Sequence, residues 1–499
     1  MSPTSDLLAN TLLLPHFHPR LPQQRRLYEA AKSAIHQELL VASSKLPSSR
    51  DLARDLGISR NTVIAAFEQL AAEGYVTSHA GSGTFVANLE ERMISADVED
   101  HAPSSPSGGV QSTLLSRRGT GIATFAAGAR YEIQPFAPGD ADFSSFPFKL
   151  WQRLQNRVWR EVRPDMLDYS QSGGYLPLRQ AITEYLRLSR SVKLSVEQVM
   201  ITAGTQQSLD LCAQLLADAG DAVWVEDPCY WGARGVFQAR DLTLHPITVD
   251  ADGMALSAAD LKTNPRLIYV TPSHQYPTGV VMSLARRRAL LDVAAHKNAW
   301  IIEDDYDSEF RYTGHPLASL QGLDSHRVLY MGTFSKVLYP GIKIGYLVVP
   351  PALTESFKVA LYALQRPGQL MLQAALADFM SLGHFTTHVR KIRQIYGARR
   401  ELLRRTLVMH LGARLSRSVT ISKEESGLHL VVELPGRVDD VALEKLAAES
   451  GMQVRALSTY YLAPPLRRGL LVGYAYVTPE KITYYAKLLA AVILSGVSE

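Results

Sequence analysis

Lys336 stands in the run Gly332-Thr333-Phe334-Ser335-Lys336, directly after the apolar stretch Val328-Leu329-Tyr330-Met331 and ahead of Gly341, Lys343 and Gly345. An amine among small hydroxyl residues and glycines at the end of a buried strand is poorly placed for a solvated surface charge. Partial desolvation lowers a lysine's pKa and frees the amine to condense with an aldehyde. Four further segments carry matching chemistry. Ile301-Ile302-Glu303-Asp304-Asp305-Tyr306 closes another apolar run with acids and a phenol. A buried carboxylate there can keep a pyridine nitrogen protonated, the partner a pyridoxal phosphate ring needs to withdraw electrons, and Tyr306 can donate to the ring's phenolate oxygen. Ala203-Gly204-Thr205-Gln206-Gln207 opens a helical pattern from Ser208 to Leu216, and a helix N-terminus bearing a hydroxyl suits phosphate. Tyr230 follows the strand ending at Val225, where an aromatic ring can stack, and Pro272-Ser273-His274-Gln275-Tyr276-Pro277-Thr278-Gly279 is a loop after another strand. Taken singly, each has a plain structural reading as a helix cap, a solvated strand end or a turn.

These residues need a scaffold that brings distant segments together. Ala222 to Val225, Leu267 to Val270, Ala299 to Ile302 and Val328 to Met331 are short apolar runs separated by helical patterns. That alternation predicts an α/β domain whose strands are buried on both faces of a mostly parallel sheet. All five chemical segments leave the C-terminal ends of predicted strands, where open α/β sheets bind ligands.

In this order the segments resemble fold-type I aminotransferases of class I/II, over roughly residues 131 to 495. The resemblance implies a large subdomain with a mostly parallel sheet and a smaller α+β C-terminal subdomain. It implies that Lys336 forms a Schiff base with pyridoxal 5'-phosphate. Asp304 would pair with the pyridine nitrogen, Tyr306 with the ring oxygen, and Tyr230 would stack on the ring. Thr205, Gln206, Ser335 and Lys343 would hold the phosphate. Two departures bear on activity. Many such enzymes place asparagine before Pro-Thr-Gly as a donor to the ring oxygen; here the residue is Tyr276, and His274 or Gln275 would have to compensate. The enzymes usually carry a late-strand arginine that grips the substrate's α-carboxylate bidentately. The matching stretch, Gly469-Leu470-Leu471-Val472-Gly473-Tyr474, has leucine instead. Arg455 is a candidate substitute anchor, its plainer reading being a surface arginine. The expectation is cofactor chemistry retained and turnover lost or narrowed.

The N-terminal region has a different grammar. Residues 23 to 40 place Leu27, Ala30, Ala31, Ala34, Ile35 and Leu39 at helical spacing. A serine after Pro47 caps a predicted helix from Arg50 to Leu56, which Gly57 ends. Ser59 caps a third helix, Arg60 to Glu73, and two short β patterns flank the turn Gly81-Ser82-Gly83. This is helix, turn, helix and a two-stranded wing. Ser59, Arg60, Asn61 and Thr62 occupy the positions that enter a major groove, Arg50 and Arg54 lie where the preceding helix would cross phosphates, and Gly81 and Gly83 form the wing turn. The plainer alternative is a small helical bundle for protein contacts. Leu-Pro-Ser-Ser-Arg-Asp-Leu-Ala, Leu-Gly-Ile-Ser-Arg-Asn-Thr-Val and Gly-Ser-Gly-Thr-Phe-Val closely resemble the GntR-type winged helix-turn-helix. With an aminotransferase-like domain behind it, the chain resembles the MocR/GabR family of bacterial regulators.

The boundaries read from composition are 21–89 for the winged module, 90–130 for a linker in which no apolar face can be drawn, and 131–499 for the effector domain. The 499 residues are too many for one compact core. The 52 basic residues against 48 acidic ones argue against a polybasic coat or an acidic tail. Two cysteines, Cys212 and Cys229, exclude a disulfide framework or a four-cysteine zinc site, and no metal is expected. The longest apolar runs fall far short of the ~18 residues of a membrane span, and the start lacks a signal peptide's basic region and cleavage site, so the expected location is cytoplasmic. The resemblance implies a homodimer, head-to-tail, on a double-stranded operator. The expected function is a regulator in which pyridoxal phosphate on Lys336 senses an amino compound, or is itself sensed. The alternative is an active aminotransferase with an accessory DNA-binding module.

Overall fold

The computed structural model describes residues 3–12, 21–79, 82–88, 114–126, 134–169, 173–314, 318–366, 368–412, 418–423 and 426–498. The chain divides into two compact units, residues 1–109 and 110–499.

The first unit comprises helices α1 (Pro3–Leu12), α2 (Gln23–His36), α3 (Ser49–Leu56) and α4 (Arg60–Ala72) and strands β1 (Val76–His79) and β2 (Gly83–Val86). Local chemistry sets its boundaries. The Ser48 hydroxyl accepts the Asp51 N–H at the start of α3, and the Ser59 hydroxyl accepts that of Thr62 at the start of α4. Gly57 ends α3 at φ 66°, a left-handed turn that a side chain would oppose. Leu27, Ala31, Leu52, Val63, Phe67 and Leu70 converge on one core, and β1 and β2 pair antiparallel as the wing. Helix α2 is shorter than the periodicity over residues 23 to 40 suggests. It stops at His36 because the chain reverses at Glu38 (φ 57°), which exposes Leu39 and buries Leu40 in its place.

The second unit is built on an eight-stranded sheet of order β3-β10-β9-β8-β7-β4-β5-β6. Its strands are β3 (Val199–Thr202), β4 (Ala222–Asp227), β5 (Thr243–Asp250), β6 (Gly253–Met254), β7 (Leu267–Val270), β8 (Trp300–Asp305), β9 (Val328–Thr333) and β10 (Gly345–Val348). Neighbours from β9 through β5 run parallel, and β10 runs antiparallel between β3 and β9. Every residue of β3, β7 and β10 is buried, as both-face coverage requires. Gly345 is needed where β10 passes the chain leaving β3: a Cβ there would lie 2.7 Å from the Gly204 Cα and 2.9 Å from the Gly332 carbonyl oxygen. A smaller antiparallel sheet, β11-β12-β14-β13, follows with β11 (Thr420–Ile421), β12 (His429–Leu434), β13 (Arg455–Ala456) and β14 (Arg468–Gly473). The α/β architecture expected from the alternating runs is the one observed.

The stretch 90–130 is not all linker. Residues Arg117–Ala126 form a helix packed on the helix Trp231–Ala239, with Arg118 ion-paired to Asp241. With two glycines in ten residues its apolar face is too thin to read from periodicity, and the contact with 231–239 stabilises it.

Candidate functional site

Strands β3, β4, β7, β8 and β9 point the same way, so the loops that follow them meet at one edge of the sheet. There they enclose a cavity of about 250 Å³, lined among others by Gly139, Asp140, Thr205, Tyr230, Tyr276, Asp304, Tyr306 and Lys336. The Lys336 side chain is fixed from outside its own loop: its Nζ donates to the Gly139 carbonyl oxygen at 2.8 Å. Burial pushes this amine's pKa down, while Asp140, Asp307 and Asp304 pull the other way.

Asp304, at the end of β8, is buried. Its Oδ2 accepts the Tyr269 phenol at 2.8 Å, and its Oδ1 has no hydrogen-bond partner among the described residues. Burial lifts the carboxyl to about 7, the Tyr269 hydrogen bond notwithstanding. A buried carboxylate oxygen without a partner, in the wall of a cavity that also holds an amine, suits a cationic N–H such as a protonated pyridine. The residues present therefore fit pyridoxal phosphate.

Tyr306 stands 3.0 Å from the His274 Nδ1, which lies 2.9 Å from the Asp307 Oδ2. A carboxylate only accepts, so Nδ1 carries the imidazole hydrogen and the Tyr306 oxygen accepts beside it. The Tyr306 O–H is then left to donate into the cavity. Tyr276 packs edge-on to Tyr230 (5.6 Å, 87°) and to Tyr306 (5.7 Å, 88°), and its hydroxyl lies 3.2 Å from that of Tyr460. Behind it His429, 2.9 Å from the Pro277 carbonyl, is pushed by burial to about 4 and is neutral at pH 7.

Thr205 begins the helix Thr205–Leu216 and reaches the cavity with that helix's N-terminus. Gln206 donates to the Tyr230 hydroxyl at 3.3 Å. The Ser335 N–H donates to the Thr333 hydroxyl, and Thr333 lines the cavity next to Lys336. Lys343 lines a second cavity of about 250 Å³ with Thr202, Ala203 and Gln207. Arg455, on β13, pairs with Glu444 at 3.0 Å and sits in register with Leu471 of β14, where Leu470 and Leu471 are both buried.

In the first unit Arg50, Ser59, Arg60 and Asn61 are exposed, and Thr62 is partly covered by its bond to Ser59. The Arg60 Nε reaches the Ser49 hydroxyl at 3.4 Å, so the base of α4 carries its polar groups outward. Gly83 is exposed at the start of β2, over Lys45; Gly81 lies outside the described residues.

Sequence reasoning missed Asp140, Tyr269 and Asp307. Asp307 stands one residue beyond the acidic run, which was read only as far as Tyr306. Tyr269 could be found only from the register of β7 on β8. Asp140 lies in a segment with no periodicity at all.

The model of the aminotransferase class I and II family matches residues 139–489, and that of the gntR family of bacterial regulatory proteins matches 23–86. The chain is 40% identical over 465 residues to the probable rhizopine catabolism regulatory protein MocR of Rhizobium meliloti, covering 92% of this chain and 91% of that one. It is 31% identical to the HTH-type pyridoxine biosynthesis transcriptional regulator PdxR of Corynebacterium glutamicum, covering 93% of each. Its fold matches the kynurenine aminotransferase of Pyrococcus horikoshii, solved in complex with PMP, with a TM-score of 0.67, 25% identity, and 78% of this chain and 97% of that one covered. Pyridoxal phosphate is accordingly the cofactor. No described helix is long and apolar enough to cross a membrane. A winged gntR-type module followed by a class I/II aminotransferase domain, matched over more than nine-tenths of its length by regulators, places this chain in the MocR family of helix-turn-helix transcriptional regulators.

Proposed function

We propose that the chain is a transcriptional regulator whose operator binding responds to an amino compound that engages pyridoxal phosphate at Lys336. The observation that carries this reading is the cavity that joins the Lys336 amine to the partnerless oxygen of Asp304. Pyridoxal phosphate supplies a reversible electrophile for amines and a ring that withdraws electrons. Lys336 would hold its aldehyde carbon. Asp304 would keep the proton on the pyridine nitrogen, the Tyr306 O–H would donate to the phenolate oxygen with His274 behind it, and Tyr230 would cover one face. Thr205 and its helix N-terminus, with Gln206, Ser335 and Lys343, would hold the phosphate. Arg50, Ser59, Arg60, Asn61, Thr62 and the wing would contact the operator, as two modules of a cytoplasmic homodimer on two half-sites.

Sustained transamination of α-amino acids is disfavoured. The late strand buries leucines where the aminotransferase resemblance would put the carboxylate-binding arginine, and Arg455 is engaged by Glu444. An amine that binds two arrangements of the protein unequally shifts operator affinity by at most that ratio, which is all that signalling requires.

The test is operator affinity at fixed salt, with a panel of amines, for the wild type and Lys336→Ala, each supplied with pyridoxal phosphate. The wild type should change affinity with an effective amine, whereas Lys336→Ala should bind DNA and ignore it. An equal response in the variant refutes the reading. Continuous turnover of amine and keto acid by the wild type would instead favour the enzyme.

A further inference from the structure

Among the described residues that line the cavity, the charged side chains are Lys336, Asp304 and Asp140. On the reading above, on which this inference rests, Lys336 and Asp304 are committed to the cofactor. Asp140 is not. It follows Gly139, whose carbonyl fixes the Lys336 amine, and its carboxylate is half-buried. Burial raises its pKa, and the opposing pull comes from the Lys336 ammonium. Once the cofactor occupies that amine, Asp140 is the carboxylate facing whatever fills the remaining space.

The complementary sign is missing. No arginine, and no lysine other than Lys336, lines this cavity among the described residues. Arg455 is held by Glu444 at 3.0 Å. Other walls include Tyr276 and Trp231, aromatic side chains not assigned to the cofactor, which attract cations and offer a carboxylate no ion pair. A ligand carboxylate entering here meets a like charge, whereas an ammonium meets an acceptor and a ring of phenols. We propose that the effector is an amine without a carboxylate, whose second polar group, best an ammonium, donates to Asp140. This would make Asp140 a specificity-determining residue.

Three probes of one chain length test it: 1,4-diaminobutane, 4-aminobutan-1-ol and 4-aminobutanoate. Each is titrated into the cofactor-loaded full-length protein, followed by its visible spectrum and by calorimetry. The diamine should half-saturate at a concentration lower than the amino acid by about tenfold or more, with the amino alcohol between them. Asp140→Asn should erase the order, and Asp140→Glu should restore it; unchanged melting curves would show that both variants fold. Equal or tighter binding of 4-aminobutanoate overturns the proposal, as does a preference that survives Asp140→Asn. Silence of all three probes in a protein with cofactor on Lys336 overturns it and leaves the cofactor assignment standing. A protein that takes up no cofactor on Lys336 overturns both.

Discussion

Replacing Asp304 with asparagine exposes what its charge costs, because a carboxylate has a pH dependence that an amide lacks. Burial raises the carboxyl from its ordinary 3.8 to about 7. The unfolded chain releases this proton near the ordinary value while the folded chain keeps it, so the stability that this group gives declines as pH climbs between the two values. Above about 7 the decline stops. At roughly 1.4 kcal/mol per pH unit it amounts to about 4 kcal/mol by pH 8, and only about 1.5 kcal/mol at pH 5. Asparagine keeps a carbonyl for the Tyr269 phenol but buries an amide where Oδ1 has no partner, costing about 1–3 kcal/mol. Asp304→Asn should therefore lie near parity with the wild type at about pH 5 and gain about 1–3 kcal/mol over it at about pH 8, both without cofactor. Glu303, also raised to about 7 by burial, is common to both proteins; Glu226, raised likewise, repels the Asp304 charge, so removing that charge adds to the gain at high pH. Denaturant melts of the two cofactor-free proteins across that range measure it. Added pyridoxal phosphate should reverse the gain, because only the carboxylate pairs with a protonated ring nitrogen. A difference independent of pH, or one growing toward acid, refutes the reasoning.

Two further outcomes follow from buried and exposed arginines. The Arg190 guanidinium is buried against Asp305 at 3.1 Å and Glu309 at 3.9 Å, so Arg190→Met strips both acids of their counter-charge. It should cost about 3–5 kcal/mol in denaturant melts, since a buried pair broken on one side leaves its charge uncompensated; a loss below 1 kcal/mol would mean that the acids find other partners. Arg60 is exposed at the base of α4, so Arg60→Ala should leave stability unchanged. It should weaken specific operator binding by roughly 1–3 kcal/mol, measured across salt concentrations, and equal affinity for operator and random DNA in the wild type would contradict base reading by α4.

The strands around the site were legible because burial on both faces leaves continuous apolar runs, and the motif at Lys336 stands at the end of one of them. Caps were equally legible, since Ser48, Gly57 and Ser59 act within a few residues of themselves. What escaped depends on long-range pairing. Strand β10 is too short and too glycine-flanked to be read alone, and its antiparallel insertion between β3 and β9 is a choice of register. The Tyr269–Asp304 bond spans 35 residues and the Lys336–Gly139 bond 197, so neither leaves a local trace. The helix 117–126 forms against a surface that only the folded domain provides.

The central claim is that one amine holds the cofactor. Reduction of the pyridoxal phosphate-loaded protein with borohydride, followed by peptide mapping by mass spectrometry, tests it directly. The phosphopyridoxyl group should be found on the peptide containing Lys336 and nowhere else. Its attachment to a different lysine, or its absence from every peptide of a folded protein, contradicts the account.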